Sequence, residues 1–294
     1  MNWTDIDTWI AATAAVTAMA CVIPGMFLFL SRQSMMTHGV AHAVLPGIVI
    51  AFLITHERDW AGMLIGAILA GIATGVLTRF FQLFGRVEPG AALGITFTTL
   101  FALGLVLVRV YADYVHIEPS HVLYGNLEMS VLDLNSPPEV FVRSVVMLGL
   151  NLVLMILFFK ELKIATFDPE LASSLGFRPL WVQYGIMAVT ATTAVVAFES
   201  VGSILVIAMM IAPPATAYLL TPHLKKMIAL ALFIGASTAG IGHVLSIRAI
   251  GAFSGGVLGI KEIGATNTAG GIAVVCGVLF LGVLLLKRQR QVGF

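Results

Sequence analysis

The sequence predicts an all-α, polytopic bundle of eight to nine transmembrane helices. Three observations lead there. The 294 residues are 59% hydrophobic and only 11% charged, where a soluble domain carries about 25% charged residues. Mean hydropathy is +1.00. The charges are also spaced so that apolar stretches between them reach the roughly 20 helical residues needed to cross a hydrocarbon core.

Taken in order, the stretches lie near 8–31, 33–55, 60–78, 89–108, 180–198, 200–221, 227–247 and 264–286, with a shorter one at 144–159. The first lacks a basic leading region and a small-residue cleavage site, and Asp5 and Asp7 precede it. It reads as a retained helix rather than a signal peptide. No hydrophilic domain interrupts the spans, so residues 1–294 form one transmembrane domain. Three connections have length for structure of their own: an outer one at 109–139, a cytoplasmic one at 160–179, and one at 248–263. Small-residue runs at 235–240 and 269–271 suit close helix contact in lipid. Cys21 and Cys276 sit in apolar runs without CxxC spacing and read as small buried hydrophobes.

Lys and Arg collect on cytoplasmic loops. With the C-terminal tail inside, nine spans put eleven of the sixteen basic residues on the cytoplasmic side, and the outer face carries five against eleven acids. An acidic mouth either concentrates cations or is tolerated there. A formal net charge of only +1 makes no case for nucleic-acid binding. The chain has no phosphate-cradling GxxxxGK[ST] loop and no ATPase site of its own.

The cytoplasmic segment from Phe167 to Phe177 reads as a short helix with both ends specified. Asp168 caps its free N–H groups, Pro169 suits the first helical position, and Glu170 complements the positive end of the dipole. Gly176 stands where the helix ends. Leu171, Leu175 and the flanking phenylalanines make one apolar face. That face fits either a groove in a soluble partner or the bilayer surface.

His38 and His42 are four residues apart in the second span, which stacks two imidazoles on one helical face. Neutral imidazole is a common zinc ligand. The same interval occurs in HExxH peptidases, but Gly39 stands in the place of their glutamate base. Glu199 falls where two spans meet and is either a solvated turn acid or an acid facing a pathway. His243 is an ionisable group inside a span and a functional candidate by default. In the outer connection Asp113, His116, Glu118 and His121 are dense enough to pass a cation inward, or to serve as a wet loop or a partner contact.

Five blocks in order resemble the permeases of metal-uptake ABC transporters, the zinc, manganese and iron importers. They are residues 32–36 with 41–47, residues 121–127, residues 160–176, residues 201–206 with 212–217, and residues 264–266. The resemblance covers nearly the whole chain. It implies a multi-pass permease of a prokaryotic cell membrane, paired with a second permease chain. An ATP-binding subunit would dock on Phe167, Asp168, Pro169, Glu170, Leu171 and Leu175. An extracytoplasmic metal-binding protein would deliver zinc or manganese. No permanently bound cofactor is implied, and ATP is held by the partner. The family has an acid where this chain has His38, and a histidine at His42, both within its membrane metal site. Losing the carboxylate moves the site towards zinc. The alternatives left open are an intramembrane zinc peptidase and a secondary metal transporter; the latter needs intramembrane coupling groups that these spans nearly lack.

Overall fold

The computed structural model describes residues 4–55, 60–111, 127, 137–257 and 267–292. Among these residues every regular element is a helix. In lipid the backbone has no water to bond, so each segment must close its own hydrogen bonds. The elements are α1 (Asp5–Leu30), α2 (Ser34–Thr55), α3 (Trp60–Phe84), α4 (Pro89–Tyr111) and α5 (Glu139–Leu157). They continue with α6 (Phe159–Phe167), α7 (Pro169–Ser174), α8 (Pro179–Leu220), α9 (Leu224–Val257) and α10 (Thr268–Val292). Hydrogen bonding runs through α8, but Gly202 breaks it with φ 75° and ψ 164°, a region open essentially only to glycine. Counting its halves separately, nine helices among the described residues are long and apolar enough to cross a membrane.

Several helices run past the charges that bounded the expected spans. α3 continues beyond Arg79, whose Nη1 donates to Gln82 Oε1 one turn on at 3.3 Å. α5 begins at Glu139, ion-paired at 3.0 Å with Arg143 in its first turn. α9 includes Lys225, Lys226 and Arg248. Long basic side chains at helix ends reach water while their stems stay in apolar surroundings. A charge therefore does not end a helix there. The expected connection at Glu199 does not form either: its backbone is helical, and the break comes three residues later. α10 starts at Thr268, after Asn267 accepts from the Ala269 N–H at 2.8 Å. The residues at 264–266 lie outside the described residues.

The chain divides into two compact units. One comprises Met1–Met26, Ser120–Leu152 and Val196–Phe294. Within it Gly25 meets the backbone of Met210, Gly235 fits against Val22, and Gly242 lies on Ile272. Buried polar groups bridge its helices: Thr17 and Ser144 hydroxyls are 3.0 Å apart, and Asn151 Nδ2 donates to the Ala20 carbonyl at 2.9 Å. Cys21 and Cys276 are both free and buried.

The other unit comprises Phe27–Pro119 and Val153–Val195. Here α2 is the central element. Gly47 and Gly66 bring the α2 and α3 backbones together so closely that a Cβ on either would strike the other's carbonyl oxygen. On its opposite side α2 receives Gly104 of α4 against Leu45 and Pro46. Val40, Val44, Ala67 and Ala191 form a buried cluster, and Leu28, Met36, Leu93 and Met187 form a second.

Gly66→Ala should therefore destabilise the protein by about 1–3 kcal/mol through overpacking. Gly94→Ala, with open space around its Cβ, should be neutral or slightly stabilising. Thermal unfolding in detergent checks the pair, and equal midpoints for the two variants would contradict the crossing.

Candidate metal site and partner-facing segment

His38 and His42 are half-buried on the face of α2 that packs on α4. Their ring centroids are 4.6 Å apart with planes at 76°. Each also meets an aromatic ring of α4 edge-on. His38 lies 5.5 Å from Phe97, and His42 lies 5.4 Å from Phe101. The match is one of register, since a pair spaced i,i+4 on one helix faces a pair spaced i,i+4 on the next. Sequence reasoning missed the two phenylalanines, and the only signal for them was that shared interval. Between the histidines, a Cβ at Gly39 would come within 2.8 Å of Leu93 Cδ1, so a glutamate there would have to displace the core. The place of a peptidase base is filled by packing. Among the described residues no group of three His, Cys, Asp or Glu side chains could hold a metal.

His243 lies in the other unit and is 2% exposed. Its Nδ1 is 3.4 Å from Thr268 Oγ1, and its Nε2 faces Asp7 Oδ1 at 3.5 Å. Asp7 is itself held by the first turn of α1. Its Oδ2 accepts from the Thr4 N–H at 2.8 Å and from the Thr4 hydroxyl at 2.7 Å. The group thus joins the ends of α1 and α10 to the interior of α9, which accounts for an ionisable side chain inside a span. Asp7 was visible in the sequence only as an acid ahead of an apolar run. Its spacing from Thr4 was the local signal of a capping pair.

Glu199 sits on the helical backbone of α8. Asp113, His116, Glu118 and His121 lie outside the described residues.

The segment expected to face a partner forms two helices, α6 and α7, with Asp168 between them. Asp168 Oδ1 accepts from the Leu171 N–H at 2.9 Å, and Pro169 occupies the first helical position. At the other end the Phe177 N–H bonds the Ala172 carbonyl and the Gly176 N–H bonds that of Ser173, with Gly176 at φ 85°. This is a Schellman closure. Ala172 is buried, whereas Phe167, Leu171 and Leu175 are each about half exposed, at 57%, 47% and 56%. The apolar face of α7 points away from its own unit.

Nine helices among the described residues that are long and apolar enough to cross a membrane, with a capped apolar helix displayed between two of them, define a polytopic membrane protein. Within that class the chain belongs to the ABC 3 transport family, whose match covers residues 5–287. The manganese transport system membrane protein MntD of Bacillus subtilis is 38% identical over 245 residues, covering 81% of this chain and 83% of that protein. The zinc transport system membrane protein TroD of Treponema pallidum is 39% identical over 285 residues, covering 95% and 73%. Among solved structures, PsaBC from Streptococcus pneumoniae in complex with Fab superposes with a TM-score of 0.75 at 28% identity, covering 95% of this chain and 91% of that one.

Replacing Asp168 by Ala removes the N-cap acceptor and should cost α7 about 1 kcal/mol. Hydrogen exchange should then accelerate at the Leu171 amide. Unchanged protection there would show that the cap does not hold the helix.

Proposed function

We propose that this chain is the membrane-spanning permease of an ATP-driven importer for a divalent transition metal, with zinc as the preferred cargo. The observation that carries the reading is the stacked pair His38 and His42, whose rings are close enough to turn their nitrogens towards one ion. Both donors are neutral nitrogens, which suit zinc and lack the hard oxygen that favours manganese. The names of the relatives, one for manganese and one for zinc, support the wider class of cargo. Two ligands are few for a resident metal and appropriate for a travelling one, because an ion that binds too well does not leave. Glu199 and the outer group Asp113, His116, Glu118 and His121 are the candidates to pass the ion to and from the pair. His243 is already engaged by Asp7 and Thr268 and serves unit packing.

The remaining parts of the importer are other chains. An extracytoplasmic binding protein delivers the metal, a second permease chain faces this one, and a separate ATP-binding subunit supplies the energy. α7 is the contact for that subunit, supported by its closed ends and outward apolar face. The side bearing α7 is then cytoplasmic, in accord with the basic residues that share it.

In proteoliposomes containing the ATP-binding subunit and the binding protein, His42→Ala should lower zinc uptake at least about 100-fold while the complex still assembles. Uptake at the parental level would remove the pair from the pathway. The same assay run with both metals checks selectivity, since His38→Asp restores a carboxylate and should raise manganese uptake relative to zinc. A ratio equal to the parent's would mean that ligand hardness does not set the choice. Leu171→Asp combined with Leu175→Asp puts charges into the apolar contact and should abolish co-purification of the ATP-binding subunit. A coupled complex that survives this change would place the contact elsewhere.

A further inference from the structure

A cavity of about 350 Å³ opens where the start of α2, the last turns of α3, the first turn of α4 and the start of α8 come together. Its polar lining is Arg32, Gln33, Thr78, Arg79, Gln82 and Gln183. Among the described residues that line it there is no carboxylate. Glu88, the residue before α4, is exposed and does not line it. Three features favour an anion in this cavity. Thr78 is fully buried, yet its hydroxyl has no hydrogen-bond partner, unlike Thr74 one turn earlier, which donates to the Ala70 carbonyl at 2.7 Å. Pro89 and Gly90 bring the α4 N-terminus to the wall, where first-turn N–H groups lack intrahelical partners. Arg32 has φ 58° at the closure of α1, a place that favours glycine. A side chain there is strained, and the strained residue is one whose side chain lines the cavity.

We infer that this cavity binds the phosphate headgroup of an anionic phospholipid. Two guanidiniums in a cavity whose own lining holds no carboxylate repel a metal ion, so the cavity is not a station on the cation's route; Glu170 lines the neighbouring cavity that Arg79 also borders. The apolar surroundings select a lipid over free phosphate. Val76 and Leu83 share a face of α3 with Arg79 by helical spacing, Phe80 and Phe84 extend that exposed apolar surface round the helix, all four are 47–77% exposed, and Met35 on the cavity wall is 73% exposed. Acyl chains would lie along that stripe while the headgroup enters beside Arg79. The Gln33 and Gln183 carboxamides, bonded to each other at 2.7 Å, close the inner wall. The orientation given under the proposed function puts this site in the cytoplasmic leaflet, and that placement rests on that reading. The lipid chemistry does not.

The test uses the full chain with its ATP-binding subunit, reconstituted in phosphatidylcholine doped with phosphatidylglycerol, re-extracted in detergent and weighed by native mass spectrometry. The parent should retain phosphatidylglycerol selectively. R32Q/R79Q should reduce that retention about 30-fold, at roughly one factor of five per basic residue. T78V, which keeps the shape of the site, should reduce it by a smaller factor and serves if the double variant does not assemble. Excess inorganic phosphate should leave the lipid bound. Retention unchanged in R32Q/R79Q or T78V overturns the proposal. So does displacement by inorganic phosphate alone, which would make this a soluble-anion site, and so does a cross-link from Arg79 to an acidic segment of the ATP-binding subunit in place of lipid. Zinc uptake, measured in parallel, reports on the transport reading separately. A parent protein that takes up zinc but shows no lipid selectivity sinks only the lipid site, and a parent that retains the lipid but takes up no zinc sinks only the metal pathway.

Discussion

The near contact of Gly47 with Gly66 governs the position of everything that α2 carries. Helices in lipid gain nothing from expelling apolar surface into more hydrocarbon, so they associate through van der Waals fit, and fit is best where side chains are absent. With α3 drawn against one side of α2, the other side lies against α4 through Gly39 on Leu93 and Gly104 on Leu45 and Pro46. That second contact sets Phe97 and Phe101 edge-on against the two histidines. The rings are thus oriented by packing, and no hydrogen bond to the backbone is needed to hold them.

The polar groups of the interior follow from the same shortage of water. Thr74, Thr96, Thr190, Thr216 and Thr238 return their hydroxyl protons to carbonyls one turn back. Where a group cannot be satisfied within its own helix, it joins another one, as Asn151 does with the carbonyl of Ala20 and His243 with Asp7 and Thr268. Among the described residues the buried hydroxyls of Thr13, Thr37, Thr78 and Ser246 follow neither pattern, and of these four only Thr78 lines the cavity that bears the arginines.

Much of this was legible from the sequence, for physical reasons that differ by feature. Hydropathy located the spans because a hydrocarbon core demands length and apolarity together. It misplaced their ends at Arg79, Arg143 and Lys226, because basic side chains can extend to water from within a helix. The caps of α7 were readable because Asp168, Pro169 and Gly176 act on neighbours within a few residues. The break between the two halves of α8 comes at Gly202 and not at Glu199, and it was not legible because a glycine break leaves no polar loop to mark it. The partners of the histidines were invisible for a different reason. Phe97 and Phe101 are some 60 residues away from them in the chain, and Asp7 is further still from His243. Only packing brings such groups together.

α7 ends in its own hydrogen bonds on both sides, at Asp168 and at Gly176. A helix of six residues closed in this way is a strut about 9 Å long, and it has no loose turn through which a load could dissipate by fraying. Leu171 and Leu175 are therefore held in fixed relation to the end of α6 and the start of α8 by short covalent links and capped turns. Both belong to the compact unit that also holds α2. The start of α8 in turn packs on α2 through Ala191 against Val40 and Val44, so the segment that carries α7 and the helix that carries the ring pair share one packed body.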